Sequence, residues 1–384
     1  MSIKSAYMDY QSTTPLDERV LAVMMPYLTE KFGNPHSAEH RFGWEAEAVL
    51  DVAREQVAGV VAALPEAITF LSGATEANNL VIKGVMERWG EARPHLITVA
   101  TEHKCVLEAA AICQRAGFRL TVLPVGGDGL VRLEQLEDAI GEDTALVSVM
   151  AVNNEIGVIQ PLAAIGEICR KYGALFHSDA AQAFGKIPLD VDAMNIDFMS
   201  ISAHKIYGPK GVGALYRRQG KQTSIVPQMH GGGQENGLRA GTQAPALVAG
   251  FGTAADLCAA EMAQEQGRLN TMMARLLGGL KQVAPAMVIN GHPEKRWVGN
   301  LNVRFPGLDG DRLFVDIRGL AVSTGAACAS AVAGPSYVLE AIGVTDKHAK
   351  SSIRIGIGRF TTDEEIDFAV KKIETALAKQ GGGA

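Results

Sequence analysis

The chain has 384 residues, 47% of them hydrophobic, enough to bury a large core and long enough for two or three domains. A formal net charge of −6 and a pI near 5.9, with no basic stripe, exclude a nucleic-acid-binding surface, and no apolar run approaches the ~20 residues of a membrane span. The first ten residues lack the apolar stretch of a signal peptide, so a cytoplasmic protein is expected; five widely spaced cysteines without a C-x-x-C pair fit neither a disulfide framework nor a zinc site.

In chain order, Tyr7-Met-Asp-Tyr-Gln-Ser-Thr-Thr-Pro15 reads as a turn-rich lead, with Thr14 as the cap and Pro15 as the start of a helix to about Tyr27. Gly33-Asn-Pro-His-Ser37 is a polar loop. A helix of about 25 residues follows, with Ala46, Val49, Leu50, Val57 and Val60 at helical spacing. From Ala67 onward short apolar runs alternate with amphipathic helices: 68–71 then 76–89, 96–100 then 105–116, 120–125 then 133–140, 146–152 then 162–172. This alternation predicts an α/β fold with a mainly parallel sheet covered by helices, and it puts function at the carboxyl ends of the strands.

Four polar turns fall at such ends: Gly73-Ala-Thr-Glu76, Thr101-Glu-His-Lys104, Asn153-Asn-Glu155 and Asp179-Ala-Ala-Gln182. Ser72-Gly-Ala-Thr75 leads from strand into helix, so its backbone N–H groups and the Thr75 hydroxyl suit a phosphate; an ordinary helix cap has the same appearance. His103 suits stacking and proton transfer near neutral pH, or a plain hydrogen bond. Asn154 and Gln182 are neutral amides suited to a phenolate oxygen or a carboxylate. A fifth strand end carries Lys205, where the apolar run 198–202 gives way to Ala203-His-Lys-Ile-Tyr-Gly-Pro-Lys-Gly211. Alone, this stretch is either a hairpin with a surface lysine or the seat of a Schiff-base nucleophile. Asp179, at the end of another apolar strand, favours the second reading. Pyridoxal phosphate needs a lysine for its aldehyde and a carboxylate to keep its pyridine nitrogen protonated.

Residues 228–242 are too flexible for core and too polar for strand, and read as a functional or interface loop. Helical sequence runs over 243–283, strands are expected near 287–290, 300–305 and 352–357, and helices from Arg312 and over 364–379. The expected division is a large domain over 15–255 and a smaller α+β domain formed by 1–14 and 256–384. Within the latter, small residues surround Cys328, an accessible thiol by its loop setting, whereas Cys105, Cys113 and Cys169 fall in helical patterns and are expected to be inert.

Several motifs occur in a fixed order: Gly73-Ala-Thr-Glu-Ala-Asn78, Thr101-Glu-His-Lys104, Val152-Asn-Asn-Glu-Ile-Gly157, His177-Ser-Asp-Ala-Ala-Gln182 and Ser202-Ala-His-Lys-Ile-Tyr-Gly-Pro-Lys-Gly211. They continue with His230-Gly-Gly-Gly-Gln-Glu235, Arg239-Ala-Gly-Thr242, Gly325-Ala-Ala-Cys-Ala-Ser330, Pro335-Ser-Tyr-Val-Leu339 and Ser352-Ile-Arg354. This ordered set, covering nearly the whole chain, resembles the cysteine desulfurases of bacterial iron–sulfur cluster assembly, which are fold-type I, class V aminotransferase-like enzymes using pyridoxal 5'-phosphate. The resemblance implies conversion of L-cysteine to L-alanine with sulfur passed to an enzyme cysteine; a selenocysteine lyase and a class V aminotransferase are the alternatives.

By the same resemblance Lys205 carries the cofactor as an imine, Asp179 faces the pyridine nitrogen and Gln182 the ring oxygen, and His103 stacks on the ring and moves protons. Ala74, Thr75, Ser202 and His204 are implied to hold the phosphate, with Thr242 reaching in from the second subunit of a homodimer. Asn154 and Arg354 are implied to bind the substrate carboxylate, a task suited to a guanidinium fork. Cys328 is implied to be the persulfide carrier and a candidate transient iron–sulfur ligand, with no resident metal. The implied partners are L-cysteine, a second copy, and an iron–sulfur scaffold or other sulfur acceptor, with neither nucleic acid nor membrane. Because few residues follow the last helix, scaffold docking is expected to be weaker than in longer relatives.

Overall fold

The computed structural model describes residues 4–323 and 335–381; Cys328 and its loop lie outside the described residues. The strands are β1 (Ala6–Tyr7), β2 (Ile68–Leu71), β3 (His95–Val99), β4 (Arg119–Leu123), β5 (Thr144–Ser148) and β6 (Leu175–Asp179). They continue with β7 (Phe198–Ser202), β8 (Gly213–Arg217), β9 (Val288–Ile289), β10 (Asn300–Arg304), β11 (Leu320–Ala321) and β12 (Ser352–Gly356). The helices are α1 (Glu18–Thr29), α2 (Arg41–Gly59), α3 (Ala74–Trp89), α4 (Lys104–Arg115), α5 (Leu133–Ala139) and α6 (Leu162–Tyr172). The rest are α7 (Pro245–Val283), α8 (Gly310–Asp316), α9 (Tyr337–Ala341), α10 (Asp346–Lys350) and α11 (Asp363–Lys379).

Seven strands form the main sheet in the order β2-β8-β7-β6-β5-β3-β4. Strands β4, β3, β5, β6 and β7 pair in parallel, as the strand–helix alternation predicts. Strand β8 is antiparallel to both β7 and β2, because the ten residues after Ser202 are too few for a crossover and the chain turns straight back. Every residue of β5, β6 and β7 is buried, so neither face of these strands is solvated and their polar side chains lie inside the fold. The side chains of Thr144, Ser148, His177, Asp179 and Ser200 are hydrogen-bonded, while the Ser178 hydroxyl is buried without a partner among the described residues. His177 sits between Ser148 Oγ (2.8 Å) and Ser200 Oγ (2.9 Å), tying three neighbouring strands, and burial pushes its imidazole down to about 4, so it is neutral.

A smaller sheet, β12-β10-β9, is antiparallel, and β1 pairs in parallel with β11. Asp9 bridges Gly356, so the N-terminal lead lies along the edge of the small sheet. Helix α7 is apolar and long enough to cross a membrane by length and composition, but its buried residues, Phe251 and Leu276 among them, are core, and it packs against α1, α2 and α11. It runs unbroken through residue 255, so a continuous helix rather than a loop joins the regions of the two sheets.

Two sequence expectations need correction. The first helix starts at Glu18, not Pro15: Asp17 is the cap, accepting from Arg19 N, while the Thr14 hydroxyl is engaged elsewhere, donating to His204 O (3.1 Å) and accepting from Tyr207 N (2.8 Å). The second helix has 19 residues, because a turn persists to His40, whose ring nitrogen accepts from Gly43 N and caps it there.

One close approach links sheet and site. A Cβ on Gly213 would lie 2.4 Å from Ile201 O and 2.7 Å from Gly73 Cα, so only glycine lets the start of β8 pass beneath the turn that opens α3. Gly213→Ala should therefore lower stability by roughly 1–3 kcal/mol through overpacking; thermal unfolding of the purified variant checks this, and an unchanged midpoint would contradict it.

Candidate active site

The loops following β2, β3, β5, β6 and β7 converge on a cavity of about 430 Å³ at the carboxyl edge of the main sheet. The sheet order reverses direction between β3 and β5, and this switch point is where an open α/β sheet leaves a crevice. At one end of the cavity α3 begins. Gly73 precedes it with φ +156°, and no side chain caps the helix, so its first N–H groups are available to an anion. Ala74, Thr75, Ser202 and His204 line the same end. His204 Nδ1 meets Thr13 Oγ1 (3.0 Å); burial, and then the charge of Lys205, push its imidazole down to about 4. Glu76 would repel an anion there, but it is paired with Arg239 (2.9 Å).

Asp179, at the end of β6, is buried at the cavity floor. Its Oδ1 accepts from Ala181 N (2.9 Å) and its Oδ2 from Asn78 Nδ2 (2.7 Å), two donors that orient the carboxylate. Lys205, in the turn after β7, donates from Nζ to the carbonyls of Gln11 and Ser12, both at 2.6 Å. Gln182 is buried beside it and donates from Nε2 to Gln11 O (2.8 Å).

On the rim, Arg354 is 2% exposed and already anchored: to Asn154 O (2.9 Å), to Asp9 Oδ1 (2.7 Å) and to Ser323 Oγ (3.0 Å). Its Nε, and the Oδ1 of Asn154, are buried without a partner among the described residues. An orphaned donor and an orphaned acceptor on two residues that line the cavity point to a polar ligand. Next to Asn154, Glu155 accepts from the Ser336 hydroxyl, and burial pushes its carboxyl up to about 7.

His103 caps α4 through Nδ1, which accepts from Cys105 N (3.2 Å); Cys105 Sγ is 3.0 Å from the same nitrogen. Because Nδ1 accepts a backbone N–H, the neutral ring carries its proton on Nε2. Behind it, burial and then the Asp179 charge push the Glu102 carboxyl well above its usual range. Glu102 accepts from Met150 N, and the Tyr337 hydroxyl donates to its backbone carbonyl (2.7 Å).

The cavity thus gathers Ala74, Thr75, His103, Asn154, Asp179, Gln182, Ser202, His204, Lys205 and Arg354, while Thr242 is exposed and lines a separate small pocket near Ser72 and Gly211. Sequence reasoning missed Asn78, Asp9 and the position of Cys105. Cys113 and Cys169 are buried, with thiols pushed upward by burial, but Cys105 faces the cavity: the helical pattern marked its element and hid its orientation.

An uncapped helix start, a strand-end lysine and a buried strand-end aspartate around one switch-point cavity define the fold-type I transferase architecture. The chain belongs to the class-V aminotransferase family, whose description, "Aminotransferase class-V", matches residues 6–368. It is similar to the cysteine desulfurase IscS of Rickettsia bellii, with 51% identity over 373 residues covering 97% of this chain and 91% of that protein. A probable mitochondrial cysteine desulfurase of Schizosaccharomyces pombe is 52% identical over 372 residues, covering 97% and 74%. The solved structure of a NifS-like protein superposes with a TM-score of 0.90 at 38% identity, covering 98% of this chain and 100% of that one. The structure described as SspA in complex with cysteine gives 0.82 at 36% identity, covering 93% and 99%.

Since Glu155 has a raised folded-state pKa, its contribution to stability is complete below the usual value of 4.5 and is lost as pH rises toward about 7. Glu155→Gln should remove that loss, up to about 1.4 kcal/mol per pH unit in this window. Urea unfolding of both proteins between pH 4.5 and 7 tests it; parallel pH profiles would contradict the assignment.

Proposed function

We propose that the protein is a pyridoxal-phosphate-dependent cysteine desulfurase, converting L-cysteine to L-alanine and taking the sulfur on Cys328 for iron–sulfur cluster assembly or another acceptor. The observation that carries this reading is the convergence of the Lys205 amine, the Asp179 carboxylate and the uncapped start of α3 on one cavity, with the orphaned groups of Arg354 and Asn154 on its rim. The donor set fits the cofactor: backbone N–H groups of Ala74 and Thr75 with Ser202 and His204 for its phosphate, Asp179 for its ring nitrogen, Gln182 for its ring oxygen, His103 for its face, and Lys205 for its aldehyde. When bound, the cofactor supplies an electron sink for the carbon next to the substrate amine.

The chain's own groups do the rest. Arg354 and Asn154 orient the substrate carboxylate, and Lys205, once its amine has lost its proton, takes the Cα proton at Nζ. The Cys328 thiolate attacks the substrate sulfur: an S–S bond forms, the C–S bond breaks with its electrons left on carbon, and alanine leaves after reprotonation. Cysteine and enzyme thiol thereby become alanine and enzyme persulfide, with no external oxidant or reductant.

The same reading includes a large domain over 15–255, a small one from 1–14 and 256–384, and a cytoplasmic homodimer in which Thr242 completes the partner's phosphate site. Leu21, Met25 and Leu28 recur on one exposed face of α1, and beyond them the exposed Phe32 and Phe42 rings stack at 5.6 Å with exposed Trp44 close by in sequence. Exposed large apolar side chains of this kind are what an obligate two-fold interface covers.

Borohydride treatment of the loaded protein should fix the cofactor to the peptide containing Lys205, as mass spectrometry would read; label on another lysine would end the assignment. Cys328→Ser should keep the visible absorbance of the bound cofactor yet release alanine from cysteine at least about a hundredfold more slowly, whereas Cys113→Ser and Cys169→Ser stay near wild type. Formation of a keto acid in place of alanine would instead indicate an aminotransferase. For assembly, light scattering should give twice the chain mass of 40.7 kDa, and a fully active monomer would contradict the shared site.

A further inference from the structure

A buried lysine stands directly behind the proposed cofactor site, and the mechanism above does not use it. Lys186 is 9% exposed and Gln182 4%. Lys186 Nζ donates to Gln182 Oε1 at 3.0 Å and lies 4.6 Å from the centre of the buried Trp297 ring. Its backbone is pinned as well. Gln266, from α7, donates to Lys186 O (2.6 Å), and Gly185 adopts φ +68° where a Cβ would lie 2.9 Å from Cys258 Cβ and 3.2 Å from Ile206 Cγ2. The turn is therefore wedged between α7 and the residue that follows Lys205.

The two ends of the Gln182 amide are specified independently. A lysine ammonium can only donate, so Gln182 Oε1 faces it; a backbone carbonyl can only accept, so Nε2 faces Gln11 O. Both partners demand the same orientation, and one Nε2 hydrogen remains for the cavity, which Gln182 lines. Without Lys186 the amide would keep only the Gln11 contact. Rotation would then bring the oxygen toward the cavity, where it would repel an anionic ring oxygen.

We propose that Lys186 is a positioning residue that locks the Gln182 side chain with its N–H toward the cavity, so that the ring oxygen of the bound cofactor meets a donor and never an acceptor. Burial, and then the charge of Lys205, push the Lys186 ammonium down to about 7; the charged form can only donate, and the neutral amine can still donate to Oε1 while Gln11 O holds Nε2 on its own side. The indole face supports the charged form when it is present.

This inference rests on the cofactor assignment of the preceding subsection, and the experiment separates the two. Apo-protein is titrated with pyridoxal phosphate, reading the dissociation constant and the pH midpoint of the visible band. Lys186→Met should weaken binding roughly tenfold, as expected for loss of a supporting hydrogen bond, and shift the pH midpoint. Lys186→Gln, which restores a neutral donor, should return both to within about threefold of wild type. In a Gln182→Met background Lys186→Met should add nothing, because the lysine acts through the amide. If Lys186→Met does not fold, Gln182→Glu carries the test: it keeps an acceptor for Lys186 but removes the donor, and should weaken binding at least about tenfold. Unchanged binding and midpoint in Lys186→Met, an equal loss with or without Gln182, or unchanged binding in Gln182→Glu would each overturn the proposal. A wild-type chain that develops no visible band would overturn the cofactor assignment itself.

Discussion

The joint on which the site depends is the buried guanidinium of Arg354. It sits on β12 of the small sheet, yet its donors reach Asn154 at the edge of the main sheet, Asp9 in the N-terminal lead and Ser323. Three segments distant in sequence are thus held in register by one planar group. Its desolvation is offset only while those acceptors stay in place; loss of the Asp9 carboxylate would leave a buried charge unpaired, a change that costs about 3–5 kcal/mol in such settings. Of that guanidinium, Nε is left over for a ligand.

Around that joint the ionisable groups are sorted by burial. His177 and His204 are neutral, Glu102 and Glu155 are driven toward their protonated forms, and Lys186 is pushed toward losing its charge. Other ionisable groups of the wall have explicit partners: Arg354 with Asp9, Glu76 with Arg239, Asp179 with Asn78 and the Ala181 N–H, and Lys205 with the carbonyls of Gln11 and Ser12. A cavity wall so arranged favours a ligand that brings its own charges, such as a phosphate and a carboxylate, and places a donor or cation near each.

Much of this was legible in the sequence because the chemistry follows the strand ends. Buried parallel strands have to be apolar runs, so each polar turn that interrupts them is conspicuous, and the turns at Gly73, His103, Asn154, Asp179 and Lys205 were all found that way. Side chains whose role depends on a direction were not legible. Asn78 looks like any polar residue one turn into a helix, and only the packing of α3 over β6 aims its amide at Asp179. Asp9 sits in a lead with no periodicity, and its partner lies at the far end of the chain. The cap assigned to Thr14 failed for a related reason: a threonine before a proline fits a helix start, and nothing local reveals that its hydroxyl is taken by the turn carrying Lys205.

The antiparallel insertion of β8 has a bearing on how the chain reaches this state. Strand β2 is among the first elements of the main sheet to be synthesised, but among the described residues it pairs with β8, some 140 residues later. Until that partner arrives β2 is an unpaired ribbon, and the turn at Gly73 has no Gly213 to rest on. The parallel strands between them can assemble first, nucleated by neighbours close in sequence, whereas the uncapped start of α3 must wait for a long loop to close. A nascent chain released or stalled before residue 217 would therefore hold most of its sheet and an incomplete ligand site, with an open strand edge that invites pairing with another chain.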